Sequence, residues 1–186
     1  MTRRWTTDRL RLSQAGPGDA GRVREYGLRS REFHRAWDPV RPNDYWELAA
    51  VERRLSAELD QAAQDRGLVV YLTPHDDERI IGRVAFSNIV RGAYQGCTVG
   101  YGLEPGATGR GYMTEALLAM VRVAFDELAL HRVEANVVPR NARSMALVER
   151  CGFEREGLSP KYLRIAGRWE DHVRFARRNH ALEVGE

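Results

Sequence analysis

The chain has 186 residues, 43% of them hydrophobic and 30% charged, which suits one full domain spanning 1–186 and excludes a wholly disordered chain. No apolar run approaches the roughly 20 residues of a membrane span, and Met1-Thr2-Arg3-Arg4-Trp5 leads into Asp8 and Arg9 rather than an apolar signal core, so a cytoplasmic protein with no membrane partner is expected. Basic residues outnumber acidic ones by only 29 to 26, Lys161 is the single lysine, and the acids are interleaved with the arginines; direct DNA binding is not expected, while a local basic site for a phosphate-bearing ligand stays open.

In chain order, Leu10-Arg11-Leu12 alternates as a short first strand, and Ala15 to Asp19 is a turn able to open a helix. Two prolines keep Trp37 to Pro42 extended or turning. Tyr45 to Gln64 reads as a helix with Leu48, Val51, Leu55 and Leu59 on one face. The period then shortens. Leu68–Leu72, Arg79–Asn88 and Cys97–Leu103 predict an antiparallel meander of three strands. A glycine-rich loop precedes a helix from Tyr112 to Leu128 carrying Leu117, Val121, Ala124, Phe125 and Leu128 on its apolar face. Arg132–Val138 is a strand, Asn141–Arg150 a helix ended by Gly152, and Tyr162–Ile165 and Glu170–Phe175 are two last strands joined at Ala166-Gly167. The expected architecture is mixed α/β: mostly antiparallel strands, one strand–helix–strand crossover and flanking helices.

Cys97 and Cys151 have no metal-ligand or redox spacing and the five histidines form no pair, so no metal is expected and the cysteines read as reduced core residues. The informative stretch is Gly106-Ala107-Thr108-Gly109-Arg110-Gly111. Its glycines let the backbone approach a ligand, and the helix behind it offers unpaired N–H groups and the positive end of its dipole, a setting for a pyrophosphate. Tyr112-Met113 stands where a nucleotide-triphosphatase loop needs lysine and a hydroxyl, and the dinucleotide fingerprint lacks its third glycine. A loop and helix start with no ligand is the bland alternative.

Thr98 to Leu103, Gly109-x-Gly111 and Tyr112 to Leu117, followed by Arg132 to Val137, Asn141-x-x-Ser144 and Cys151-Gly152-Phe153, resemble the two cofactor motifs of the GNAT N-acetyltransferase superfamily. Thr6 to Leu10, Trp37 to Arg41, Phe86 to Gly92 and Gly167 to Val173 are similar to its RimJ/RimL-type ribosomal-protein-alanine members, so the resemblance runs from about Thr6 to Phe175, leaving a short C-terminal tail. It implies the GNAT fold, a mostly antiparallel sheet with a splayed parallel pair, and acetyl transfer from acetyl-CoA to an amine with coenzyme A as product. Two departures stand out: Gly106 replaces a Gln or Arg, and Val148 replaces the tyrosine that many relatives use as general acid.

Carried over residue by residue, Tyr101 and Leu103 supply main-chain contacts, Thr108, Gly109, Arg110, Gly111, Tyr112 and Met113 wrap the pyrophosphate, and Asn141 and Ser144 flank the pantetheine arm. Ser144 would return a proton to the thiolate in place of the missing tyrosine. Glu134 and Asn136 lie two apart on one strand and face the same way, so Glu134 is a candidate base; His172 is another, Asp171 and His172 facing opposite sides. A terminal amine of pKa about 7.7–8.0 needs no strong base. The acceptor groove is drawn from Trp37, Asp38, Phe86, Ser87, Asn88, Arg91, Tyr162 and Trp169, with Asp38 as counter-charge to an ammonium. Three readings follow: a monomeric or homodimeric enzyme acetylating a peptide or protein N-terminus, first an alanine of a small-subunit ribosomal protein; an acetyltransferase of a small amine such as a polyamine, antibiotic or metabolite; and a ribosome-associated assembly factor.

Overall fold

The computed structural model of the chain describes residues 2–183. The strands are β1 (Arg4–Thr6), β2 (Leu10–Ser13), β3 (Leu68–Pro74), β4 (Gly82–Val90), β5 (Gly96–Leu103), β6 (Arg132–Val137), β7 (Glu154–Ile165) and β8 (Arg168–Arg178). The α-helices are α1 (Ala20–His34), α2 (Leu48–Ala63), α3 (Tyr112–Arg122) and α4 (Ala142–Arg150). The eight strands form one sheet in the order β1-β2-β3-β4-β5-β6-β8-β7. Neighbours are antiparallel except β5 and β6, which run parallel and are connected through α3. This is the GNAT fold, with the meander and the crossover where the residue pattern placed them.

Alternation along the strands assigns the two faces. Leu68, Val70, Leu72, Val84, Phe86, Val99, Val133, Ala135, Val173 and Phe175 point to one face, where Met113, Leu117, Met120, Val121 and Val148 of α3 and α4 complete the main core. On the other face Tyr71 and Val69 meet Val23 and Tyr26 of α1 and Val51 and Leu55 of α2. Val51 and Leu55 are fully buried, whereas Leu48, expected on the same stripe, is 48% exposed because the helix begins at that residue. Each buried aliphatic side chain contributes about 1.5–3 kcal/mol, so a few of them hold α1 and α2 against the sheet.

Three boundaries differ from expectation. β1 is a three-residue exposed edge with no alternation to read. The final hairpin is far longer than Tyr162–Ile165 and Glu170–Phe175; its strands run Glu154–Ile165 and Arg168–Arg178, but irregularities between Arg155 and Gly157 and between Ser159 and Leu163 break the period of two. The helix from Tyr112 is α-helical only to Arg122 and closes with a π turn over Val123–Glu127, in which Leu128 N–H donates to the Val123 carbonyl at 3.0 Å. Cys97 and Cys151 are free and buried, and no described helix is long and apolar enough to cross a membrane.

Candidate functional site

β5 and β6 pair only over Gly96–Thr98 and Arg132–Glu134, and then separate. On its other edge β5 stays paired with β4 to Leu103. The Glu104 N–H donates to the Ile81 carbonyl at 2.8 Å, which makes Arg83/Gly102, Ala85/Gly100 and Ser87/Thr98 the hydrogen-bonded pairs of that ladder. The main-chain groups of Val99, Tyr101 and Leu103 therefore face the opening toward β6. By the same logic the Arg132 N–H, which donates to Gln95 O at 3.2 Å, sets Glu134 and Asn136 facing the opening from the other side. The result is a slot with polar backbone on both walls.

The glycine loop lies beyond the open end of β5. Gly109 and Gly111 have φ of +77° and +80°, backbone that an L side chain rarely adopts. Gly111 is the N-cap of α3 and no side chain caps that end, so the first N–H groups of the helix, at Tyr112 and Met113, keep their donors free. Glu115 sits in the first turn and is the natural competitor for those donors, but it is held elsewhere. Its carboxylate accepts from Thr7 Oγ1 at 2.6 Å and from Arg9 N and Nε at 2.8 and 2.6 Å. Burial alone would raise its pKa; those hydrogen bonds outweigh burial and keep it low. Arg9 also donates to the Arg110 carbonyl at 2.9 Å and lies over the Tyr112 ring. This brace on the loop has no signature in the spacing of either segment.

On the α3/α4 face, Tyr101 Oη is 2.7 Å from Ser144 Oγ. Burial pushes the Tyr101 phenol up to about 12, so it stays protonated at neutral pH. Asn141 is the N-cap of α4, its Oδ1 accepting from the Ser144 N–H at 3.1 Å; the amide nitrogen of Asn141 remains a donor. Val148 is fully buried in the core, so the position where a tyrosine was sought contributes packing only.

The opposite face of the slot is polar. Glu134 shares it with Asn136, Arg174 and His172. Glu134 is not a free base: its Oε1 accepts from Arg132 Nε at 2.7 Å and its Oε2 from Arg174 Nη2 at 2.5 Å. Burial works to raise its pKa, but bonds from Arg132, Tyr94 and Arg174 hold it below the usual carboxylate range. Asn136 Oδ1 is buried without a partner. His172 is 2% exposed, with Nδ1 donating to the Glu170 carbonyl at 3.0 Å, and burial lowers its pKa. Tyr162 stacks its edge toward His172 and carries Arg174 over its ring.

The chain between α1 and α2 closes the mouth of this face. His34 Nε2 is 2.8 Å from the Leu103 carbonyl, which only accepts, so Nε2 carries the proton and Nδ1 is an open acceptor. Burial lowers the His34 pKa, favouring that neutral form. Gly102 makes the approach possible, since a Cβ there would stand 2.9 Å from His34 Cε1. Asp38 accepts through its backbone carbonyl from Ala166 N–H at 2.9 Å, tying the segment to the β7–β8 turn. Arg140 stacks on Trp37 and pairs with Glu170 at 2.9 Å.

Trp37 and Asp38 thus stand at the mouth, while four other residues expected in the groove do not line it. Phe86 is 2% exposed in the core of the opposite face. Arg91 is turned to Asp65 and the Leu128 carbonyl, at 2.5 Å each. Trp169 lies next to Glu170 on β8 and projects oppositely to it, 59% exposed. Asn88 sits in the bulge at the end of β4, with φ of +52°. Ser87 lies across from Thr98, at the closed end of the slot. His34, Arg140, Arg174 and Glu170 are the groups that sequence reasoning missed, because contacts between distant segments place them.

A sequence profile of an acetyltransferase (GNAT) domain matches residues 9–154. The chain is 38% identical over 170 residues to the [ribosomal protein uS5]-alanine N-acetyltransferase of Escherichia coli (strain K12), covering 91% of this chain and 88% of that protein. Among solved structures, the ribosomal-protein-S5-alanine acetyltransferase from Vibrio fischeri superposes with a TM-score of 0.90 at 28% identity, over 95% of this chain and 97% of that one. Mycobacterium smegmatis RimJ in complex with CoA-disulfide superposes with a TM-score of 0.86 at 28% identity, over 95% and 84%.

Proposed function

The chain belongs to the acetyltransferase (GNAT) family and is an acetyl-transferring enzyme with acetyl-CoA as donor, and from that premise we propose that it acetylates the N-terminal amine of a protein, first the alanine of a small-subunit ribosomal protein. The observation that carries the reading is the slot between β5 and β6, with unpaired main-chain groups on both walls, a free helix N-terminus at one end and a polar mouth at the other. The similarity to a relative named for uS5-alanine over most of both chains supports the acceptor. The reading sets the enzyme in the cytoplasm, as a monomer or homodimer, with neither DNA nor membrane as partner.

The residues present fit the donor. Gly109, Arg110, Gly111, Tyr112 and Met113 offer N–H groups to a pyrophosphate, and Thr108 leads into them. Tyr101 and Leu103 offer backbone along the slot to the pantetheine arm, with Asn141 as a further donor. When bound, acetyl-CoA supplies the thioester carbonyl that an amine attacks. A backbone N–H on β5 is preorganised for charge that builds on a carbonyl oxygen. Ser144 gives its proton to the departing sulfur and draws on the Tyr101 hydroxyl behind it. His34 takes the amine proton at Nδ1, the role first sought in Glu134 and His172. Asp38 attracts the ammonium form as it arrives, and Asn136 positions the amine through its unpartnered Oδ1.

The mouth is charged in both senses, Asp38 near Arg41 and Glu170 against Arg140, which argues against a polyamine. The test is thiol release from acetyl-CoA with alanine-initiated ribosomal N-terminal peptides beside a panel of small amines. Turnover on the peptide that vanishes when its N-terminus is blocked is the expected result. Turnover confined to a small amine would overturn the acceptor.

A further inference from the structure

The arginine side chains near the mouth are mostly spoken for: Arg29 pairs with Glu104, Arg41 with Asp38, Arg54 with Glu58 and Arg140 with Glu170. Arg83 differs. It lies on β4 opposite Gly102, on the α1/α2 face, and among the described residues its guanidinium has no carboxylate or carbonyl within hydrogen-bond reach. It faces a pocket between α1, α2 and the sheet, lined also by Tyr26, Ser30, His34, Asp38 and Tyr71. Asp38 is the acid in the lining and is paired with Arg41 at 3.6 Å, while Glu58, outside the lining, is engaged by the Tyr71 hydroxyl at 3.0 Å and by Arg54.

Two polar atoms of the pocket lining are buried without a hydrogen bond. Ser30 is 2% exposed beside the Tyr26 phenol and its hydroxyl oxygen makes no hydrogen bond of good geometry; Arg54 Nε is also buried and reaches only Glu58 Oε1, at 3.9 Å, beyond hydrogen-bond distance. Buried donors left unmade are costly, about 1–3 kcal/mol each. A cationic group and a hydroxyl converging on one space ask for an anion. The space measures about 40 Å³. One water needs about 10–15 Å³ by such a measure, so the pocket admits a group the size of a carboxylate and no complete small ligand. The anion must then be one end of something held outside. The pocket shares His34 and Asp38 with the mouth of the slot, where the acceptor would enter.

We propose that the Arg83 pocket receives a carboxylate carried by the acceptor, and so selects acceptors with an acidic group close to the amine. This rests on the acetyl-transfer reading of the adjacent slot. The carboxylate has two sources: an acidic side chain just after the first residue of a peptide, or the free carboxylate of a small amino acid.

The experiment uses the full chain and matched acceptors. Alanine-initiated peptides carry Glu or Gln at each early position in turn, and small amino acids are compared with their amides. One source is expected to give a kcat/KM advantage of about 10- to 100-fold for the acid, the scale of a charge-assisted contact. It should arise in KM, be abolished in Arg83→Gln and be partly kept in Arg83→Lys. Equal use of acid and amide by the wild type, or a preference that survives Arg83→Gln, would overturn the proposal. A second measurement does not depend on transfer: the Arg83 side-chain NMR signal, assigned by its absence from Arg83→Lys, is followed while formate is added. A saturable shift, weakened several-fold in Ser30→Ala, is expected even if Arg83→Gln fails to fold. Absence of any shift would overturn the pocket. A shift with no peptide acetylated would keep the pocket and remove the peptide reading.

Discussion

Tyr101 Oη and Ser144 Oγ lie 2.7 Å apart, joining the splayed strand to the first turn of α4 across the slot. A phenol pushed up to about 12 by burial is a proton reservoir that does not empty at neutral pH. Ser144→Ala is expected to lower kcat by about 10²-fold, the lower part of the range for a positioned proton donor, with little change in KM for acetyl-CoA. Tyr101→Phe should lose less, and the double variant little more than Ser144→Ala alone. Additive losses would separate the two hydroxyls.

Glu134→Gln distinguishes a base from a brace. The carboxylate is bound by two guanidiniums, and the three side chains are only 8%, 18% and 27% exposed for Glu134, Arg132 and Arg174. Removing the charge is expected to cost about 2–4 kcal/mol in denaturant unfolding, while kcat of the folded protein stays within about threefold. Its folded pKa lies below the unfolded value, so this contribution is present above the usual carboxylate range and lost as pH falls through the folded value. A large fall in kcat at unchanged stability would restore Glu134 as the base.

His34 carries the opposite kind of test. Burial lowers its pKa, so it accepts a proton at neutral pH and loses that capacity only at a pH below the ordinary imidazole range. The pH profile of kcat is expected to show this acid limb in the wild type, and His34→Gln should lower kcat and flatten it. The same depressed pKa makes folding less favourable below about 6.5, because the unfolded chain binds the proton more readily.

In the glycine loop, Gly109 and Gly106 form an internal control. A Cβ at either would meet no atom within 4 Å, but only Gly109 has a positive φ. Gly109→Ala is expected to cost about 1–2 kcal/mol of stability and raise KM for acetyl-CoA by about tenfold. Gly106→Ala should change neither appreciably. The check is thermal unfolding beside donor titration.

What could be read in the sequence was whatever is local. Glycines at 109 and 111, the Asn141 cap three residues before Ser144 and the period of α3 are short-range patterns, and each maps to a defined backbone state. The partners of the site are long-range. Arg9 meets Glu115 across 106 positions and Arg140 meets the Ala36 carbonyl across 104, so no spacing announces them. Phe86 shows the limit from the other side. Its aromatic character fitted a groove equally well, and only strand parity sends it into the core. Glu134 had the right facing and chemical type, but its two guanidinium partners lie on β6 and β8.

The eight strands are one sheet only by virtue of the short parallel contact between β5 and β6. Mechanically that contact is a seam, with five strands on one side and three on the other. Amides of Tyr101, Leu103 and Asn136 along it lack ladder partners and should exchange with solvent ahead of the flanking strands. A donor lying in the seam would act as a missing strand. Its binding should slow exchange on both sides together and raise the unfolding temperature in proportion to its occupancy, so that the substrate completes the architecture that processes it.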